Sequence, residues 1–249
     1  MEAANFGKRN IEGVFCWTLA GKKSVSENGN CEPAEIKSKN TVIATGEDTE
    51  ITICRPGSYT EVGSLDIPLD FVEKNTALTL KVRIGDSISA YPIWVYRKTT
   101  PVCPENVYET RAFDVKTREI LQNGGRVYLS PDADKESLPN SIKTQFTTDF
   151  HTDWQWWIMA TKRAVILPHP MKTIITEMDS YAFLRPMAQM IEFRCLKGKV
   201  LLSTMELHKS QQYPEVRALQ ASIYTYLSGE NFEPAEEITE EELSMLVRG

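Results

Sequence analysis

Residues 78–84 read Leu78-Thr79-Leu80-Lys81-Val82-Arg83-Ile84, and this stretch indicates the fold class of the first part of the chain. Aliphatic side chains occupy every second position, and a threonine and two basic residues lie between them. Successive side chains of a β-strand point to opposite faces, so this pattern predicts a half-buried antiparallel strand with one face in water.

Similar short stretches precede and follow it. Residues 13–19, 41–45, 50–54, 65–69 and 89–96 are rich in β-branched, aliphatic or aromatic residues and are separated by turn-forming residues. Several short strands at regular spacing, without a convincing helix between them, are typical of a β-sandwich. We therefore predict an antiparallel β-sandwich over residues 1–98.

The pattern changes after residues 99–104, where Pro101 and Pro104 predict a linker. Residues 114–123 suit a helix, and Gly124 and Gly125 provide its stop signal. Strands are predicted at 126–130 and 164–167, two more at 190–195 and 199–204 around a turn, and an amphipathic helix at 214–227. This alternation favours an α/β domain over residues 104–232.

The last segment, residues 233–249, is acidic. Its first eleven residues, EPAEEITEEEL, contain six carboxylates and no basic side chain. Two alternatives remain open for this tail: a short helix over residues 240–247, with glutamates near its N-terminus, or a segment that is disordered in isolation.

Charge and hydropathy exclude several classes of partner. The net charge is −6 and no basic patch is visible, which argues against nucleic acid as the main partner. No apolar run approaches the ~18–20 residues of a membrane span. The N-terminal residues MEAANFGKRNIEG lack the apolar core of a secretory signal.

No motif for catalysis, cofactor binding or metal binding is present. GxSxG, GxGxxG, P-loop and HExxH patterns are absent, as is any cysteine–histidine spacing that fits zinc. His151, His169 and His208 are far apart in sequence, and we predict that His208 lies at the surface. Acidic residues are plentiful, but no sequence pattern identifies two of them as the pair of carboxyl groups that flanks a sugar in glycoside hydrolysis. We therefore expect no catalytic residue, no cofactor and no metal.

The five cysteines favour free thiols. Cys16, Cys54 and Cys195 lie in apolar strand-like runs, where cysteine behaves as a small hydrophobic residue. The alternative is a disulfide that joins Cys31 to either Cys16 or Cys54.

One segment, residues 147–157, has the composition of a carbohydrate-binding surface. It reads TTDFHTDWQWW and holds three of the five tryptophans. Exposed tryptophans stack on sugar faces, and aspartate and histidine bond hydroxyl groups. The candidate carbohydrate-binding residues are His151, Asp153, Trp154, Trp156 and Trp157. The competing interpretation is structural, with a helix cap and tryptophans buried against the sheet or a neighbouring domain.

Two pairs of motifs resemble a known family. FHTDWQWW, followed by IEFRCLKGKVLLSTMEL and a closing helix that ends in YLSG, is similar to an α/β domain at the C-terminus of many proteins of glycoside hydrolase family 2, the β-galactosidase and β-glucuronidase relatives. VGSLDIPLDFVEKNTALTLKVRIGDSISAYPIWVYRK is similar to the Ig-like domain that precedes it there. The resemblance covers roughly residues 10–232.

The resemblance implies a flavodoxin-like (amidotransferase-like) fold without the nucleophile for residues 104–232, and an upstream catalytic domain as partner. It implies a non-catalytic accessory region that supports glycan degradation, located in the periplasm or at the cell surface. No position matches the family's catalytic motifs, and residues 131–149 are shorter than in those relatives. The alternatives are an independent carbohydrate-binding module that uses residues 149–157, and an enzyme with an unrecognised active site.

Overall fold

The computed structural model describes residues 1–22, 40–143, 163–177 and 184–249. The chain divides into two compact units, unit 1 from Met1 to Arg97 and unit 2 from Lys98 to Gly249. Each unit has a hydrophobic core of its own.

Unit 1 consists of antiparallel β-structure. Its strands are β1 (Glu2–Ala4), β2 (Ile11–Lys22), β3 (Asn40–Cys54), β4 (Tyr59–Glu61), β5 (Thr76–Ile84) and β6 (Ser87–Val95). A four-stranded sheet has the order β3-β2-β5-β6, and β1 pairs with β4 in a separate two-stranded sheet. The core of the unit includes Phe15, Cys54, Val62 and Ile84.

Local sequence explains the centre of this sheet. The alternation in residues 78–84 is confirmed, because Leu78 and Ile84 are buried while Lys81 and Arg83 are exposed. A two-residue turn joins β5 to β6, and Gly85 takes the positive φ of 55° at its first position. Gly13 approaches this turn so closely that an added Cβ would lie 2.4 Å from the Gly85 nitrogen. A side chain at Gly13 would therefore push the turn away.

The prediction of an Ig-like sandwich over residues 1–98 is wrong. The described residues form a four-stranded sheet and a two-stranded sheet, six strands in all, whereas an Ig domain has at least about seven in two larger sheets. The segments predicted as two strands, 41–45 and 50–54, belong to the single long strand β3, which stays paired with β2 across a bulge. Residues 65–69 belong to no strand.

Unit 2 contains a seven-stranded mixed sheet and three α-helices in its described part. The strands are β7 (Val107–Thr110), β8 (Arg126–Leu129), β9 (Ser141–Lys143), β10 (Arg163–Ile166), β11 (Ile175–Glu177), β12 (Met187–Cys195) and β13 (Gly198–Ser203). The helices are α1 (Val115–Gln122), α2 (Pro214–Ser228) and α3 (Glu240–Leu246), and a 3-10 turn covers Leu207–Lys209. The strand order is β7-β8-β13-β12-β10-β9, and β11 also pairs with β12.

The helices cover both faces of this sheet. One core cluster joins α1 and α3 to the sheet through Leu121, Leu243 and Leu246, and the other joins α2 to it through Val216 and Leu227. Asp114 caps α1, and its carboxylate accepts a hydrogen bond from the Thr117 amide at 2.8 Å. Residues 233–249 contribute α3, which begins with a capping box at Thr239, so they belong to the core of unit 2.

The prediction of a flavodoxin-like (amidotransferase-like) domain over residues 104–232 is also wrong. That fold requires a parallel sheet with helical crossovers. Here only β7, β8 and β13 are parallel to one another, with α1 as the crossover between β7 and β8. A two-residue turn at Leu196 and Lys197 reverses the chain, so β12 and β13 must be antiparallel. The remaining pairings are antiparallel as well.

Cys54 and Cys195 are buried free thiols, whereas Cys16 is half-exposed. Both predicted disulfides involve Cys31, which lies outside the described residues. Within the ranges described above, no helix is long and apolar enough to cross a membrane.

Candidate functional site

The candidate site lies at one edge of the sheet in unit 2, where three parallel strands end. The register aligns Leu129 of β8 with Thr110 of β7 and with Leu202 of β13, so the carboxyl ends of these strands coincide. Functional groups of open α/β sheets commonly gather at this edge. The residues that follow the strands here carry charge, and we call them the carboxyl-end cluster: Arg111, Asp132, Glu206, His208 and Lys209.

Glu206 is the most constrained member of the cluster. Its backbone adopts φ 43° and ψ 39°, the left-handed region that L-residues rarely occupy. Its side chain is only 2% exposed. The Glu206 Oε1 atom accepts hydrogen bonds from the Ala133 amide at 3.1 Å and from Lys209 Nζ at 2.6 Å. A backbone in this region costs of order 1–3 kcal/mol, and strain of this kind concentrates at functional sites.

Lys209 joins the two carboxylates of the cluster. Its Nζ lies 2.6 Å from both Asp132 Oδ1 and Glu206 Oε1, which places these two oxygens within about 5 Å of each other. The hydrogen bond from Lys209 lowers the pKa of Asp132. The hydrogen bonds to Asp132 and then to Glu206 raise the pKa of Lys209. Asp132 and Lys209 are therefore both charged near neutral pH.

His208 lies beside Asp132 and, unlike Asp132 and Lys209, is uncharged near neutral pH. Its Nε2 atom is 3.6 Å from Asp132 Oδ1, and its Nδ1 atom is buried without a hydrogen-bond partner among the described residues. Burial lowers the pKa of His208, and the positive charges of Arg111 and Lys209 lower it further. The imidazole is therefore neutral near pH 7.

A hydrogen-bond network connects the cluster to α2. Arg111 Nη1 donates to the Ser130 carbonyl at 2.9 Å, and Nη2 lies 3.3 Å from Glu109 Oε1. The Tyr224 hydroxyl donates to Glu109 Oε2 at 2.5 Å and accepts from Gln220 Nε2 at 2.6 Å. These contacts fix Arg111 and Glu109 in place, so the edge of the sheet presents ordered charged groups.

Two buried hydroxyls lie next to this network. The Tyr128 hydroxyl is adjacent to the Ser130 and Ser203 hydroxyls, and burial raises its pKa to about 12. The Tyr128 and Ser130 hydroxyls make no hydrogen bond of normal geometry to a described residue. They are donors at every physiological pH, and they are shielded from solvent.

The cluster has the chemistry of a binding surface. Its two acidic and two basic side chains, Asp132, Glu206, Lys209 and Arg111, are each already bonded to a neighbour. In the part of the chain that the structure describes, no serine, threonine or cysteine is hydrogen-bonded to His208, and no group of three His, Cys, Asp or Glu side chains fits a metal ion. The arrangement offers donors and acceptors for hydroxyl groups, and lacks a nucleophile paired with a base.

The candidate residues predicted from the sequence, His151, Asp153, Trp154, Trp156 and Trp157, lie outside the described residues. The two ends of that segment are described. Lys143 and Arg163 are paired across β9 and β10, and the Arg163 carbonyl accepts a hydrogen bond from Thr204 Oγ1 at 2.7 Å. Thr204 is two residues from Glu206, so Arg163 lies near the carboxyl-end cluster.

Sequence reasoning missed most of the cluster. His208 was predicted at the surface, but it is half-buried in the 3-10 turn and faces Asp132. Glu206 and Lys209 were not singled out, although they follow directly on an apolar strand. The signal was present in residues 203–209, STMELHK, where polar and charged side chains succeed a buried strand.

Two family models match separate parts of the chain. Residues 139–248 match a domain of unknown function (DUF8487). Residues 1–97 match a second domain of unknown function (DUF8488), and this match ends at the same residue as unit 1. No curated protein matches the chain.

Proposed function

We propose that this chain is a non-catalytic accessory region of a family 2 glycoside hydrolase, which supports glycan degradation by an upstream catalytic domain. The carrying observation is that the charged groups at the carboxyl-end cluster bond to one another. Glu206 and Asp132 share Lys209, and Arg111 bonds Glu109 and a carbonyl. The link to glycosidases rests on the sequence resemblance alone.

The state of the carboxylates supports a non-catalytic role. Glycoside hydrolysis with two carboxyl groups needs one of them protonated, with a raised pKa, and both of them open to the sugar. Here the hydrogen bond from Lys209 lowers the pKa of Asp132, and Glu206 is buried. The distance between the two oxygens, within about 5 Å, resembles that of a retaining pair, but the lysine between them occupies the position that a substrate needs.

Carbohydrate binding by residues 149–157 is the second candidate function. The observation that favours it is the position of Arg163, whose carbonyl accepts a hydrogen bond from Thr204, two residues from Glu206 of the carboxyl-end cluster. Tryptophan faces together with charged donors and acceptors are the combination that sugar-binding surfaces use. This function is compatible with the accessory role, since an accessory domain that binds glycan holds the enzyme on its polymer.

The accessory role predicts a difference between soluble and polymeric substrates. Residues 1–249 alone should not hydrolyse chromogenic galactosides or glucuronides. Fused downstream of a family 2 catalytic domain, they should raise kcat/KM on a polysaccharide and leave kcat/KM on the aryl glycoside unchanged. Turnover by the chain alone would overturn the proposal, as would a fusion with no preference for the polymer.

The binding role is tested by titration of the full chain with a panel of polysaccharides. Trp154→Ala and Trp157→Ala should each weaken binding while the unfolding midpoint stays constant; Trp94→Ala, an exposed tryptophan of unit 1, serves as the control. If no glycan binds, and the two substitutions only lower stability, the tryptophans are structural and the binding role is excluded.

A further inference from the structure

Unit 1 contains a cavity of about 490 Å³ on one face of its four-stranded sheet. Small-molecule sites commonly have volumes of about 300–1,000 Å³. All four strands of the sheet contribute side chains to this cavity. Its polar and charged lining consists of Cys16, Thr18, Thr45, Glu47, Lys81 and Arg83.

The strand register brings these side chains together in two neighbouring rows. Cys16 pairs with Glu47 on one side and with Arg83 on the other. Two residues further along β2, Thr18 pairs with Thr45 and with Lys81. Residues two apart on a strand share a face, so Lys81 and Arg83 lie side by side at a spacing of about 6.6 Å.

Among the described residues, neither of these two cations has a carboxylate partner. Arg83 Nη1 donates to the Gly85 carbonyl at 3.3 Å, and Nη2 contacts Cys16 Sγ at 3.3 Å. No carboxylate of the described residues lies within 4.0 Å of either Arg83 or Lys81. Glu47, at the far end of the row, reaches only Cys16 Sγ, at 3.9 Å. Two cations at this spacing repel each other, and an anion between them offsets that repulsion.

We propose that this cavity binds the oxyanion group of a small ligand, either a carboxylate or a sulfate, between Arg83 and Lys81. The guanidinium of Arg83 offers paired donors that match the geometry of an oxyanion. The hydroxyl of Thr18, in the Lys81 row, supplies a further donor. The volume exceeds that of a bare ion, so the remainder of the ligand lies over Thr45 and Glu47, whose side chains bond hydroxyl groups. The proposal is independent of the accessory function and of the carboxyl-end cluster.

Cys16 provides a reporter within the cavity, since its half-exposed thiol contacts Arg83. The experiment measures alkylation of Cys16 in the full chain by iodoacetamide, an uncharged reagent, with mass spectrometry of the Cys16 peptide. Sodium glucuronate and sodium sulfate are the two probes, each compared with sodium chloride at equal ionic strength. We expect at least about a 5-fold slower alkylation, saturable in the probe. Protection by glucuronate alone, by sulfate alone or by both identifies the preferred oxyanion.

The double variant Lys81→Gln with Arg83→Gln should abolish this protection. For every variant, the alkylation rate with the probe is compared with the rate of the same variant in chloride. The control variant, Arg55→Gln with Lys74→Gln, lacks two exposed cations elsewhere on unit 1 and should still be protected by the probe. Equilibrium dialysis with radiolabelled sulfate gives a direct second measurement. If neither probe slows alkylation and no sulfate is retained, the proposal is overturned. Equal loss of protection in both double variants overturns it too, because the effect is then a general charge effect.

Discussion

Leu246 provides a direct test of whether residues 233–249 belong to the core of unit 2. Its side chain is 1% exposed and packs in the cluster with Phe113 and Leu243. Leu246→Ala removes three carbon groups, and transfer alone accounts for about 2.4 kcal/mol at about 0.8 kcal/mol per group. The cavity left behind adds to this, and buried Leu→Ala changes typically cost about 2–5 kcal/mol. We expect a loss of about 3 kcal/mol in the free energy of unfolding of unit 2.

The neighbouring residue is the matched control. Met245 is 62% exposed on the same helix, so Met245→Ala should change stability by no more than about 0.5 kcal/mol. Urea unfolding of the full chain, followed by amide hydrogen exchange of peptides from β12 and β13, reports on unit 2. Peptides from β2 and β5 should keep their protection in both variants. A loss below about 1 kcal/mol for Leu246→Ala, or equal losses for the two variants, would refute the packing of α3 into the core.

Two further predictions concern the site. Tyr224→Phe deletes the hydroxyl between Glu109 and Gln220 and leaves both groups without that partner, so urea unfolding of unit 2 should show a loss of about 1–3 kcal/mol. Tyr226→Phe, which removes a hydroxyl bonded to Glu192 in a less buried position, should lose less; the reverse order contradicts the network. The second prediction concerns pH. The pKa of His208 is lowered on folding, so the unfolded chain binds more protons below about pH 6.5. His208 therefore reduces stability as pH falls from about 7 to 5, and His208→Gln should flatten the stability profile in that window. An unchanged slope in the variant would show that His208 is not the group responsible.

Local periodicity predicted most individual elements correctly. The helix predicted at residues 114–123 is confirmed as α1, because Asp114 caps it and Gly124 takes the positive φ that a helix stop favours. The failure at residues 65–69 is informative. Leu65, Ile67 and Leu69 are more buried than the residues between them, so the alternation is real, but Pro68 cannot donate to a ladder. The alternation therefore predicted which side chains are more buried, but it did not predict a strand.

Arrangement was harder to predict than the elements. The Ig-like and flavodoxin-like predictions came from resemblance and from counting elements, and neither uses strand direction. The predicted turn between β12 and β13 already implied an antiparallel pair, which is incompatible with a flavodoxin-like sheet at that position.

The site was harder still. Asp132 and Lys209 meet only because β8 and β13 pair in parallel, and no local pattern links residues so far apart in sequence. A buried carboxylate such as Glu206 also breaks the usual link between charge and exposure, so composition gives no signal for it.

The position of β13 has a kinetic consequence. This strand lies between β8 and β12, and its register with β8 joins Arg126 to Lys199, which are separated by about half of the unit's length. The β7-α1-β8 segment comes first in the sequence of unit 2. Its two strands alone are only marginally stable, as is usual for an isolated two-stranded ribbon. The entropy lost in closing a loop of this length opposes folding before the β8–β13 contacts form, so folding is slow. During synthesis, the sheet of unit 2 therefore closes only after β13 has emerged, and until then β8 exposes an apolar edge that favours association with other chains.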